Sequence, residues 1–315
     1  MDLTESTLIL FVLSVTILKP TPMDTLLHSL LAHSPVITDG AWGTQLQQKG
    51  LTSGQCPDAW NLTDPSKVED IARSYVDAGS RVILTNTFGA NRITLSSHGM
   101  ADQTHQINCA GAMLSCKAAG ERAHVFGSIG PSGKLLMTEE VTGEELRDAF
   151  TEQAAALREG GVRGIVIETM SDLAEARIAV EAARGTGLPV VACMVFDSGP
   201  NHDRTMMGNT PEEAVRELTA AGAEVIGANC GQGIERYVPI CSRLHKATPL
   251  PVWIKPNAGL PTLVEGRVTY PTTAAEFARH ATALKDAGAS FIGGCCGTGP
   301  EFIRALVRTL TTDIP

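Results

Sequence analysis

The chain has 315 residues, 43% of them apolar, which is enough to bury one large core. Its formal net charge is −9 and it has no basic run interleaved with aromatics, which argues against a nucleic-acid or anionic-membrane surface and for small-molecule chemistry. Cysteines stand at positions 56, 109, 116, 193, 230, 241, 295 and 296, too sparse for a secreted disulfide scaffold, so reduced thiols and a cytoplasmic protein are expected.

The first feature in chain order is an apolar run over residues 8–18, preceded by Asp2 and Glu5 and followed by Lys19 and Pro20. A bilayer span needs ~20 apolar residues, and an export signal needs a positive start and a small-residue cleavage pattern, neither of which is present. Residues 1–22 are therefore expected to lie outside the fold, and residues 23–315, opening at Met23, to form one domain. An amphipathic stretch over 24–33 comes next. From residue 36 onward, short apolar runs alternate with helical patterns. The runs cover 36–38, 82–85, 125–128, 165–167, 190–195, 225–228, 252–255 and 290–292. Helices are predicted over 65–78, 103–119, 143–159, 172–183, 211–221, 234–245, 273–287 and 300–310, several with a Ser, Thr or Asp before them and a glycine after.

Eight βα units in a chain of this length predict a single-domain (β/α)8 barrel, in which active groups gather at the carboxyl ends of the strands. Polar and sulfur residues fall at those positions: Asp39 and Gly40, Thr85 to Thr87, Ser128, Glu168 and Thr169, Asn229 and Cys230, Asn257, Cys295 and Cys296. An open doubly wound sheet is the competing fold, but Asp39-Gly40-Ala41-Trp42-Gly43 is a poor match to its glycine-rich phosphate turn.

Cys295 and Cys296 lie between Gly293-Gly294 and Gly297, where glycine lets the backbone turn tightly. Adjacent residues bridge only with strain, which leaves metal ligands, a redox pair or ordinary buried thiols. Strands six and eight are near neighbours in a barrel, so Cys230 joins the pair. Three thiolates with an open fourth position suit a catalytic zinc, with an inert buried role and redox chemistry as the other readings. Cys109 and Cys116, seven apart, are expected to pack against the barrel from one helix face, and Cys193 to lie in the core. No histidine has ligand spacing.

Taken together the motifs resemble those of the homocysteine S-methyltransferases, and among them the homocysteine-binding barrel of cobalamin-dependent methionine synthase. The resemblance covers residues 36–310. It is carried by Asp39-Gly40-Ala41-Trp42-Gly43-Thr44, Thr85-Asn86-Thr87-Phe88, Gly127-Ser128-Ile129-Gly130-Pro131, Glu168-Thr169-Met170-Ser171-Asp172, Gly227-Ala228-Asn229-Cys230, Lys255-Pro256-Asn257-Ala258-Gly259 and Gly293-Gly294-Cys295-Cys296-Gly297-Thr298. It implies a zinc-dependent transfer of methyl to the thiolate of homocysteine, giving methionine, with Cys230, Cys295 and Cys296 as the Zn²⁺ ligands. Asn257 would be the candidate for the fourth zinc position before substrate arrives. Glu168 and Asp39 would lie near the substrate amino group, and the turn of Gly40, Ala41 and Gly43 near its carboxylate.

From the residues alone, Glu168 and Asp39 could equally cap helices and Asn257 could fill a turn. Trp42 departs from the resemblance, where a smaller residue or methionine is usual. The methyl donor is open: S-methylmethionine or betaine from solution, or methylcobalamin on a separate cobalamin- or folate-binding chain. A non-catalytic zinc- or thiol-binding barrel is the reading from another class.

Overall fold

The computed structural model describes residues 24–264 and 267–310. Eight strands form one parallel sheet: β1 (Val36–Ile37), β2 (Val82–Leu84), β3 (His124–Ile129), β4 (Gly164–Met170), β5 (Val190–Met194), β6 (Val225–Gly233), β7 (Val252–Asn257) and β8 (Ala289–Ile292). Their spatial order is β1-β8-β7-β6-β5-β4-β3-β2. The ring closes where Thr38 bridges Val82 and the Arg81 amide donates to the Ile37 carbonyl at 2.8 Å. The fold is the expected (β/α)8 barrel.

The helices that return the chain outside it are α1 (Pro65–Ala78), α2 (Thr104–Ala119), α3 (Gly143–Glu159), α4 (Leu173–Arg184), α5 (Pro211–Ala221), α6 (Ile234–Ala247), α7 (Ala274–Asp286) and α8 (Pro300–Leu310). Thr142, Thr210 and Thr273 open α3, α5 and α7 with full capping boxes, each pairing with a glutamate three residues on. The starts of α3 and α5 fall where expected, and α7 begins one residue later than expected, at Ala274, because Thr273 is its cap.

Strands buried on both faces read as apolar runs, and their side chains divide into two cores. Val125, Ile165, Val190, Ile226 and Ile254 face outward under the helices. Phe126, Val166, Val191, Cys193, Trp253 and Phe291 fill the barrel interior, where the Trp253 ring lies 4.9 Å from Phe291 and 6.3 Å from Phe126. Leu27 and Leu30, from the short helix Thr25–Leu31, join this inner core beside Val36, Val82 and Val225, the first residues of their strands. The helix thus closes the amino end of the barrel. Burying each such leucine is worth roughly 1.5–3 kcal/mol. Residues 1–22, expected to lie outside the fold, are outside the described residues.

The other end of the barrel carries the longer connections. An antiparallel hairpin, Thr262–Val264 with Arg267–Thr269, extends from β7 and had no counterpart in the sequence reading. Among the described residues no helix is long and apolar enough to cross a membrane.

Candidate active site with a three-thiol centre

The strands that end in polar residues run further than their apolar runs. Glu168 and Thr169 are part of β4, Asn229 and Cys230 of β6, and Asn257 of β7. Asn229 pairs with Lys255 and Cys230 with Pro256 in the β6–β7 ladder. Side chains expected just past the strands are therefore held on the sheet itself. The ladder breaks register at two matched places, after Ile167 in β4 and after Cys230 in β6. Thr169 and Cys230 adopt left-handed backbone there, with φ of 62° and 65°, a conformation uncommon outside glycine and frequent at functional sites. The Asn229 side chain ties the two breaks together: its Oδ1 accepts from the Thr169 amide and its Nδ2 donates to Thr169 Oγ1, both at 2.7 Å.

The β8–α8 loop, residues 293–299, is stitched to its neighbours on both sides. Gly294 N donates to Asp39 O at 3.0 Å, Ala41 N to Thr298 O at 2.9 Å, Cys295 N to Pro256 O at 2.8 Å, and Ala258 N to Cys296 O at 2.9 Å. Thr298 Oγ1 closes the turn on Cys295 O at 2.7 Å. The paired glycines serve close approach here rather than tight turning. A Cβ on Gly293 would sit 2.0 Å from Thr38 Oγ1, and one on Gly294 2.3 Å from Thr298 Oγ1. Only Gly297, at φ 83°, needs the left-handed region, and a Cβ there would also strike the Tyr270 ring at 2.2 Å.

This framework brings Cys230, Cys295 and Cys296 together, their three sulfurs within 4.8 Å of one another and all half-buried. Cys230 Sγ lies 4.0 Å from Cys296 Sγ. Two sulfurs bound to one tetrahedral zinc at ~2.3 Å would lie about 3.8 Å apart, so the donor set fits that ion. Cys230 and Cys296 are each pushed up to about 12. For Cys230 a hydrogen bond to Cys295 favours the thiolate, but its contact with Cys296 and burial outweigh it. For Cys296 the bond to Cys230 is outweighed by Cys295 and by burial. Cys295 is raised as well, first by its hydrogen bond with Cys230 and then by burial. A cation bound by three such thiols would displace their protons to solvent.

Asn257 braces the centre from β7: its Oδ1 accepts from the Cys296 amide at 3.0 Å and its Nδ2 donates to Gly231 O at 2.7 Å. Both ends of its amide are thus engaged by backbone.

Beside the sulfurs lies a group of buried charges. Lys255, on β7, donates to Asp39 Oδ1 at 2.5 Å, and both side chains are almost fully enclosed. Asp39 Oδ2 accepts from the Leu84 amide at 2.8 Å and from Trp42 Nε1 at 2.9 Å, so Asp39 also continues the barrel closure beyond Thr38. Burial alone would lower the Lys255 pKa, but Asp39 and then Glu168 overcome it and hold the ammonium protonated. Glu168 accepts from Ser128 Oγ at 2.5 Å; burial raises its carboxyl, against the pull of Lys255. Two carboxylates thus share one lysine.

A cavity of about 610 Å³ covers the thiols and these charges. Gly40, Ala41, Trp42, Glu168, Lys255 and the three cysteines are in its wall, and Asp39 stands behind Lys255. The Ala41 amide is already given to Thr298 O. The structure therefore brings the candidate site residues Asp39, Gly40, Ala41, Glu168, Asn257, Cys230, Cys295 and Cys296 to one end of the barrel. It adds Lys255, and it gives Ser128 and Asn229, expected at strand ends, the partners Glu168 and Thr169. Cys109 and Cys116 lie apart, on α2, with Cys116 against the Gly161 carbonyl at 3.4 Å.

A (β/α)8 barrel with a cluster of three thiols at the carboxyl ends of its strands defines a class of candidate metal-dependent enzymes. Within that class, residues 36–310 match the homocysteine S-methyltransferase family, and the chain belongs to it. It is 32% identical over 306 residues to the methionine synthases of Mycobacterium leprae (strain TN) and Mycobacterium tuberculosis (strain ATCC 25618 / H37Rv), a match that takes in 91% of this chain and 25% of each relative. The chain thus spans about a quarter of the length of these relatives. Its fold is similar to the metallated form of the Escherichia coli homocysteine methyltransferase MmuM, with a TM-score of 0.74 at 22% identity, over 89% of this chain and 98% of that one.

Proposed function

We propose that the protein is a zinc-dependent methyltransferase that moves a methyl group to the thiolate of homocysteine, giving methionine. The observation that carries this reading is the meeting of Cys230, Cys295 and Cys296 beside the Asp39, Lys255 and Glu168 group, in a chain that belongs to this family. Zinc bound by the three sulfurs would lower the pKa of a substrate thiol, which is mostly protonated near neutral pH at an ordinary value of ~8.5.

The residues of the chain position that thiol. Asp39, Glu168 and Lys255 together carry two negative charges and one positive, so the group favours a further cation, and the ammonium of an amino acid supplies it. Glu168, in the cavity wall, is the partner for that ammonium. Asp39 acts through Lys255, holding the lysine where it neither floats free nor deprotonates. Gly40 and Ala41 form the wall beside the substrate backbone. Asn257 keeps the Cys296 turn in place through the Cys296 amide; to take the fourth zinc position it would have to give up that bond. All eight cysteines are free, which supports a reducing cytoplasmic setting.

A second reading keeps the acceptor and takes the methyl from methylcobalamin on another chain. Exposed Phe88, Met137, Met206, Leu260, Leu263 and Val268, on the connections after β2, β3, β5 and β7, favour it, because they put apolar surface around the end of the barrel that holds the site. Zinc-loaded protein given homocysteine and, in turn, S-methylmethionine, betaine and methylcobalamin separates the two. Methionine formed with at least one donor is expected, and none with any of them rejects the activity.

A further inference from the structure

A metal held by thiolates is tuned by the groups that hydrogen-bond to its sulfurs as well as by the sulfurs themselves. The chain places a donor against each of the three sulfurs. The Nδ2 of Asn229 carries two protons, one directed to Thr169 Oγ1 at 2.7 Å and the other to Cys295 Sγ at 3.8 Å. The Tyr270 hydroxyl donates to Cys296, and the Gly231 amide to Cys230.

Both side chains are held where they stand. Asn229 is fully buried, and its own carbonyl accepts from the Tyr237 hydroxyl at 2.9 Å. An amide that only tied β4 to β6 would need no more than the oxygen and the one proton that Thr169 takes; the second proton is turned to the sulfur. Tyr270 follows the Thr262–Val264 and Arg267–Thr269 hairpin, and its ring covers Gly297, where any Cβ would displace it. The base of that hairpin is tied to the same turn, since Thr272 N donates to Ala258 O at 3.1 Å and Ala258 N to Cys296 O at 2.9 Å. Among the described residues lining the cavity neither Asn229 nor Tyr270 is found, so each would act on a ligand through a sulfur.

We propose that Asn229 and Tyr270 are positioning residues that donate hydrogen bonds to the Cys295 and Cys296 thiolates and so make the bound metal a stronger Lewis acid toward the substrate thiol. The proposal rests on the zinc reading and adds what tunes the metal. Three thiolates already outweigh the charge of a divalent ion, and a fourth from the substrate adds to the excess. Protons shared from outside draw electron density off the sulfurs and favour the bound substrate as its thiolate. Asn229 also holds Thr169, the residue after Glu168, so one side chain serves both the metal centre and the strand that carries the ammonium partner.

The test uses the full chain loaded with Co²⁺ in place of zinc and compares wild type with Tyr270→Phe and Asn229→Ala. The sulfur-to-cobalt charge-transfer band reads the electron density on the sulfurs. Tyr270→Phe keeps the ring over Gly297 and removes the hydroxyl alone. Both variants are expected to move the band to lower energy, to bind homocysteine more weakly, and to bind zinc about tenfold or more weakly in competition with a chelator. A residue that only supports the fold would lower the thermal midpoint and leave the band of the folded protein in place. An unmoved band in a folded variant therefore overturns the role of that residue, and a moved band with homocysteine affinity unchanged overturns the effect on the substrate thiol. Wild type that takes up neither metal overturns the zinc reading itself, whereas a normal wild-type band with both variants unmoved overturns this proposal alone. Should Asn229→Ala not fold, Tyr270→Phe decides by the same band.

Discussion

Asp39 and Asp58 are both buried aspartates at the carboxyl end of the same barrel, and their surroundings differ in kind. Asp39 has a lysine ammonium, an indole N–H and a backbone amide spread over its two oxygens. Asp58 has the Gly89 amide, its own backbone amide and a distant thiol. The first aspartate is answered from within the chain, by Lys255. The second has no lysine, arginine or histidine partner among the described residues. The contrast is between an aspartate whose partners fix it in place and one with few partners.

The largest effect should come from breaking the Asp39 pair. Lys255→Met removes the ammonium paired with Asp39, and loss of one partner of a buried pair typically costs ~3–5 kcal/mol; urea unfolding should show a loss of that order. A loss within error would contradict the buried ion pair. Glu168→Gln should come next, weakening homocysteine binding by ~2–5 kcal/mol, well over tenfold, with zinc content unchanged. A thiol lacking the amino group should bind the variant and wild type equally, and an equal loss with that thiol would remove Glu168 from the ammonium.

Asp58 should show the opposite sign. Its folded carboxyl is raised from 3.8 to about 6, so the folded state holds this proton more tightly than the unfolded one. Its contribution is therefore fully present below pH ~4 and is lost as pH rises through ~6, a change of roughly 2 kcal/mol. Wild type should lose about that much stability relative to Asp58→Asn between these pH values, and a difference flat with pH would contradict the unpaired state. The smallest effect is Trp42→Phe, which removes one of three donors to Asp39 and should cost about 1 kcal/mol of stability with zinc retained.

How far the sequence reveals these features depends on the distance over which each is built. The strands could be read because a barrel strand buried on both faces is a continuous apolar run, and the helix starts because a capping box is a local pattern. The three cysteines could be associated once the strand count placed strands six and eight close together. Lys255 and Asp39, 216 positions apart, share no local pattern, and neither do Asn229 and Thr169, 60 apart. Asp58 follows Pro57 in an ordinary turn sequence, and nothing in its neighbours tells that it is buried without a cation. The roles of Gly293 and Gly294 were mistaken for turning because a glycine that makes room and one that bends look alike in sequence; only the 2.0 Å and 2.3 Å approaches to Thr38 and Thr298 tell them apart.

The central claim is that Cys230, Cys295 and Cys296 bind zinc and present it to the homocysteine sulfur. X-ray absorption at the zinc edge tests it most directly, on wild type with and without homocysteine. The account predicts about one zinc per chain with three sulfur neighbours at ~2.3 Å, rising to four when homocysteine is added. Protein that binds no zinc, or zinc whose sulfur count stays the same when homocysteine binds, would contradict it.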